Sequence, residues 1–93
     1  MTPVHPGRIL SKELKARNLS ANSLALALRV PSGRITAILN EQRSVSADTA
    51  LRLARYFGNS AQFWLNLQSR YDLAMTEREY GAMIEKEVQV GSL

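Results

Sequence analysis

The side chains with binding chemistry gather in one stretch, Ser32 to Arg43, which reads SGRITAILNEQR. It offers hydroxyls at Ser32 and Thr36, amides at Asn40 and Gln42, and guanidinium groups at Arg34 and Arg43, with Gly33 and Ala37 between them. Hydroxyls and amides exchange hydrogen bonds with base edges, a threonine methyl packs on a thymine methyl, and a guanidinium reaches guanine or a phosphate. All of this is non-covalent chemistry. The parts for covalent work are missing: the 93 residues include no cysteine and a single histidine, His5. That excludes a thiolate nucleophile, a disulfide framework and a multi-histidine zinc site. Glu77 with Glu79, and Glu85 with Glu87, are spaced so that each pair points to different helix faces, and no glycine-rich phosphate loop is present. The expectation is a binding protein rather than an enzyme, with no metal and no cofactor.

Such side chains need a rigid rod to present them. Ile35, Ile38 and Leu39 recur at i, i+3 and i+4, and Leu24, Ala25 and Leu28 at i, i+1 and i+4, which fits a helical period and not a strand. The break between the two segments, Arg29-Val30-Pro31-Ser32, is short enough to force a steep crossing, and Ala25 is small enough to allow close approach. This is the pattern of a helix-turn-helix, whose second helix enters the DNA major groove. With Ile35, Ile38 and Leu39 inward, the outward arc holds Gly33, Thr36, Ala37 and Asn40, with Ser32 and Arg34 at its edges. Small residues let such a rod lie deep in a groove. They also make a thin vocabulary for reading bases, so phosphate contacts, Arg43 among them, should carry much of the affinity. Glu41 lies near the expected path of the backbone and opposes it.

The remaining elements follow in order. Pro6 is suited to a first helical turn, and a first helix should run to about Ala16 with Ile9, Leu10 and Leu14 as its stripe. His5 reads as a capping or surface histidine. Ser20 caps the second helix. Leu26 points away from the apolar face, so it either packs on a neighbouring helix or belongs to a subunit or partner contact. Asn40 is expected to take the left-handed conformation that ends the third helix. A fourth helix starts near Ser46, buries Ala50, Leu53, Ala54 and Phe57, turns Arg52 and Arg55 to solvent, and stops at Gly58. Asn59 and Gln62 are spaced as a capping box for a fifth helix, which carries Phe63, Trp64, Leu65, Leu67 and Tyr71 and reaches about Ala74. Residues 1–75 then form the helix-turn-helix domain and 76–93 a C-terminal tail. In the tail, Tyr80, Met83, Ile84 and Val88 form another apolar stripe, although Val88-Gln89-Val90 would also suit a short strand. The stripe reads either as packing on its own domain or as a dimer or partner surface.

Charge divides along the same line. Residues 1–70 hold ten Lys/Arg and three Asp/Glu, and residues 71–93 hold two and five, giving +7 and −3. A basic body suits phosphate, and an acidic tail suits a basic protein or its own body. No apolar run approaches the roughly 18 residues of a membrane span, and the N-terminus does not read as a signal peptide. A soluble, cytoplasmic protein without membrane contact is expected.

The segments HPGRIL (His5 to Leu10), SADTALRLA (Ser46 to Ala54) and FWLNLQ with YDL (Phe63 to Leu73) resemble the HigA antitoxins, a family of the phage-repressor-like helix-turn-helix class. The resemblance covers about residues 5–74. It implies an all-α, five-helix bundle; the C-terminal extension lies outside the match, and dimer contact or toxin contact is one reading of its acidic, apolar-striped residues. The resemblance implies a homodimer on a palindromic operator, repressing its own toxin–antitoxin operon and residing at the nucleoid when DNA-bound. Neutralisation of a HigB-type mRNA endoribonuclease toxin is implied as well. A stand-alone helix-turn-helix regulator without a toxin is the alternative. Position by position, the resemblance puts Ser32, Gly33 and Ala37 among the base-reading residues, and Ser20, Ala21, Asn40 and Gln42 among the backbone contacts. Arg29 stands where the family has a turn glycine, which implies a left-handed, strained residue. Glu41 and Gln42 replace the glycine and lysine of an asparagine-glycine-lysine-arginine run, at the expense of operator affinity.

Overall fold

In a computed structural model, which describes residues 3–91, the helical expectation is met by five α-helices. They are α1 (Pro6–Ala16), α2 (Ala21–Leu28), α3 (Ser32–Leu39), α4 (Ala47–Phe57) and α5 (Ala61–Glu87). Four start on side-chain caps that satisfy an orphan backbone N–H: His5 for α1, Ser20 for α2, Ser46 for α4 and Ser60 for α5. The cap of α5 is therefore Ser60, whose Oγ accepts from Phe63 N at 3.0 Å, and not the expected Asn59. Asn59 instead accepts from the indole N–H of Trp64 at 2.9 Å, which satisfies the one polar atom of an otherwise fully buried ring.

The core is one cluster. Leu10 and Leu14 of α1, Leu24, Ala25 and Leu28 of α2, Ile35 and Ile38 of α3, Ala50, Leu53 and Ala54 of α4, and Trp64 of α5 are all buried, joined by Val45 from the α3–α4 connection. α3 packs on α1 and α2, and α4 on α2 and α5. Phe63 departs from the expected aromatic core: it is 42% exposed, with its edge against Trp64. Leu26 is 68% exposed, so it packs on no neighbouring helix of its own chain.

His5 is buried, not on the surface, and its cap is unusual in using an imidazole. Nδ1 accepts from Gly7 N at 2.9 Å, while the ring meets Tyr71 edge-on at 4.9 Å between centroids. Next to it, Gly7 lies so close to α3 that a Cβ would overlap the carbonyl oxygen of Ile38. The HPG segment thus has a physical meaning: a cap, a preset first turn, and a gap that lets α1 sit on the end of α3. Val45 N donates to Gln68 Oε1 at 2.8 Å, and Gln68 Nε2 to Asp72 Oδ1 at 2.9 Å, so a buried glutamine ties the α3–α4 connection to α5.

The end of α5 corrects the sequence reading. There is no break near Ala74 and no separate tail helix: 27 residues run on through Gly81 to Glu87, and Val88 to Val90 form no strand. At about 1.5 Å per residue this helix is about 40 Å long, which accounts for a longest dimension of 52 Å against 25 and 22 Å. Tyr80, Met83, Ile84 and Val88 are exposed, so the stripe does not pack on its own domain.

Two outcomes test these packing arguments. Gly7→Ala should lower the unfolding free energy by about 1–3 kcal/mol, because overpacking against a backbone carbonyl has no side chain to move aside; urea denaturation measures it. For His5, burial outweighs the pull of Glu41 and Asp72 and lowers its pKa from the ordinary 6.5. The unfolded chain then binds a proton that the folded chain refuses. Stability should therefore be level above about pH 7.5 and decline as pH falls through about 6.5 towards the depressed folded value. His5→Asn, which keeps a capping oxygen and loses the titration, should flatten that slope.

Candidate nucleic-acid interface

The inner face of α3 is fixed by Ile35 and Ile38, neither of which retains any exposure, with Leu39 half-buried beside them. The 3.6-residue period then leaves the opposite face outward. Ser32, Gly33, Thr36 and Asn40 are exposed and Ala37 is half-buried. No atom comes within 4 Å of a Cβ built on Gly33, so this turn of the helix faces open space. Thr36 Oγ1 donates back to Ser32 O at 3.2 Å and Gly33 O at 3.3 Å, leaving its lone pairs and methyl for whatever approaches.

Around this rod lie the flanking groups. Gln42 and Arg43 are exposed just beyond its C-terminus, and Arg43 has no ion-pair partner among the described residues. Ser20 and Asn40, expected to contact a phosphate backbone, line one shallow depression, together with Ser11, Lys15 and Asn18. Lys15 and Asn18 were not singled out from sequence. Their only signal was position, in the last turn of α1 and just after it, beside the N-terminus of α2 where the helix dipole favours an anion.

Arg34, expected to reach guanine or a phosphate, is ion-paired within the fold. Its side chain is only 25% exposed, and Nη1 donates to Asp48 Oδ2 at 2.8 Å. The same carboxylate oxygen accepts from Arg52 Nε at 3.0 Å, and Arg52 Nη1 donates to Leu28 O, the last carbonyl of α2, at 2.7 Å. Arg52 is thus half-buried and braced, not free in solvent as expected. The two guanidinium groups, Arg52 first, hold the Asp48 carboxyl below the usual carboxylate range.

Three of the helix ends share one motif. After α2 and α3 the N–H that follows the turn residue reaches back five positions, Val30 N to Ala25 O at 3.0 Å and Gln42 N to Ala37 O at 2.9 Å, and Leu19 N to Leu14 O at 2.9 Å repeats it after α1. This closure needs a left-handed residue. Asn18 (φ 53°), Arg29 (φ 61°) and Glu41 (φ 61°) supply it, and Gly58 (φ 76°) ends α4 in the same conformation. Arg29 is left-handed as expected. At the end of α3 the left-handed residue is Glu41 rather than Asn40, which has φ −84°. Glu41 also makes a partly exposed ion pair with Arg8 at 3.4 Å, which draws some of its charge away from the interface.

A helix-turn-helix family model, HTH_3, matches residues 10–64. Virulence-associated protein I of Dichelobacter nodosus is 56% identical over 80 residues, spanning 85% of this chain and 74% of that protein. Among solved structures, an addiction module antidote protein of a HigA family from Coxiella burnetii superposes with a TM-score of 0.94 at 53% identity, over 98% of this chain and 100% of that one. The Pseudomonas aeruginosa antitoxin HigA, solved with the higBA promoter, gives 0.91 at 49% identity, over 94% and 96%.

The two strained turn positions give a direct expectation. Arg29→Gly and Glu41→Gly should each raise the unfolding free energy by about 1 kcal/mol, the cost of a Cβ in the left-handed region. The exposed Arg8 pair lost with Glu41 offsets little of this. Urea midpoints of the two variants measure the gain.

Proposed function

The chain belongs to the helix-turn-helix family and, within it, to the HigA antitoxins; from this premise we propose that it binds the operator of its own operon as a homodimer, represses that operon, and neutralises a HigB-type mRNA endoribonuclease. The observation that carries the reading is the outward face of α3, an uncharged arc of small residues with open space above Gly33. A solvated helix face ordinarily carries Glu and Lys. Small residues and hydroxyls suit a face that lies close in a groove better than one that faces solvent. Ser32, Gly33, Thr36 and Ala37 meet the bases in this reading, and Ser20, Asn40, Gln42 and Arg43 hold the sugar-phosphate backbone. Lys15 and Asn18 join the backbone set. Two copies present two α3 helices to successive major grooves, roughly 34 Å apart. The excess of basic residues up to position 70 supplies a salt-dependent term in affinity.

The protein-binding side of the activity falls to other surfaces. The projecting end of α5 combines exposed Tyr80, Met83, Ile84 and Val88 with Glu79, Glu85 and Glu87. An apolar stripe edged with acid suits a second copy or a basic ribonuclease. Residues 3–75 thus serve DNA and residues 76–91 serve protein partners, although one unbroken helix spans the boundary. The reading requires no catalytic group.

Gly33→Glu isolates the DNA arm. The added side chain meets nothing in the fold, so the thermal midpoint should hold or rise, while a carboxylate pushed towards the groove should weaken binding to the DNA upstream of the chain's own gene by more than about tenfold. Fluorescence anisotropy measures it; unchanged affinity would mean that α3 is not the reading helix. For the toxin arm, co-expression with the neighbouring reading frame should restore growth and yield a copurified complex. Operator binding without any such complex would reduce the reading to a stand-alone regulator.

A further inference from the structure

The Arg34–Asp48–Arg52 cluster is larger than the capping of α4 requires. Asp48 lies in the first turn of α4, where any carboxylate benefits from the helix dipole. Here one of its oxygens receives two guanidinium groups, one from α3 and one from its own helix, and the second of these also holds the end of α2. The three helices that define the turn are therefore cross-linked through one charge. Arg34 is drawn in far enough that its Nε is buried without a partner, while its other end is spent on Asp48. An arginine in the first turn of a groove-reading helix is otherwise well placed to take a phosphate or a guanine.

We propose that Asp48 is a specificity-determining positioning residue: it withholds Arg34 from DNA, so that α3 enters the groove with its only cation already neutralised. The inference rests on the operator-binding reading given above. Its physical logic is a matter of ratios. A cation on the reading helix strengthens binding to every duplex alike, because phosphates carry no sequence information. Holding that cation against the α3–α4 seam leaves sequence-independent attraction to the flanking groups. The small-residue face of α3 then decides between sequences. Asp48 itself touches no DNA in this account and acts through Arg34.

The test uses the full chain and two duplexes of equal length, the DNA upstream of its own gene and a scrambled sequence, titrated with salt. Asp48→Asn keeps the shape and removes the charge. It should bind the scrambled duplex about threefold to tenfold more tightly at low salt, with the slope of log affinity against log salt steeper by about 0.9, the value of one added phosphate contact. The preference for the upstream DNA should fall accordingly. Adding Arg34→Gln to Asp48→Asn should restore the wild-type slope, and Asp48→Glu should keep it. Arg34→Gln alone, which does not depend on how Asp48→Asn folds, should leave slope and upstream affinity within about twofold of wild type. A shallower slope in Arg34→Gln would mean that Arg34 already contacts phosphate and would overturn the proposal. So would an Asp48→Asn variant that binds both duplexes more weakly with no change of slope, the mark of a purely structural role. A wild-type protein that binds neither duplex would overturn the operator-binding reading and the inference together, whereas wild-type binding with unchanged variants overturns the inference alone.

Discussion

Burial of Ile35 and Ile38 is the constraint on which the structure depends. Two side chains three residues apart, both withdrawn completely from water, fix the rotation of α3 about its own axis. Once that rotation is set, the outward positions follow without further choice, and Gly33, Thr36 and Asn40 face solvent because no other rotation buries both isoleucines. The surrounding helices serve that anchorage. α1 comes down on the end of α3 at Gly7, with no side chain between it and the Ile38 carbonyl, and α2 closes from the other side with Leu24, Ala25 and Leu28.

The turns on either side of α3 bear a cost that its position makes intelligible. Arg29 and Glu41 both occupy left-handed conformations that glycine would adopt freely. Each sits where the chain must reverse abruptly to bring α3 against its neighbours, and each closes a six-residue backbone bond that satisfies an otherwise orphaned carbonyl. Strain at both ends of α3 is tolerable because the core between them over-determines its position. The exposed Arg8 pair to Glu41 contributes little stability by itself and acts mainly to temper a negative charge beside a basic surface.

α5 joins two environments in one helix. Its first half is a core element, with Trp64 and Gln68 buried and Tyr71 against His5. Its second half leaves the body and keeps an apolar stripe that is exposed among the described residues. A helix continues wherever its backbone bonds can be made, so packing partners can change along it without a break. Gly81 weakens propensity by about 1 kcal/mol but does not remove a hydrogen-bond donor, as proline would.

Local periodicity was enough to determine the five helical segments, four of their starts to within a residue or so, the buried stripes of α2, α3 and α4, and the face of α3 left over for binding. These features are legible because they depend on neighbours three and four residues away, whose spacing the chain states directly. What depended on distant residues was not legible. The Asp48–Arg52 pair spans only four residues and was open to the same local reading, but Arg34 read as available to DNA until the fold set Asp48 beside it, and the burial of His5 against Tyr71, unlike its cap, did not show. The same holds for Gly7 against Ile38 and Gln68 beneath Val45. The helix end expected near Ala74 has a related cause: the apolar stripe of α5 leaves the core there, and a change of packing partner looks, in sequence, like the end of an element. The sequence determined which residues share a helix face. Only the tertiary structure decided which charges were already paired, because a guanidinium is neutralised by whatever carboxylate lies within about 4 Å of it in space, however far apart the two lie in the chain.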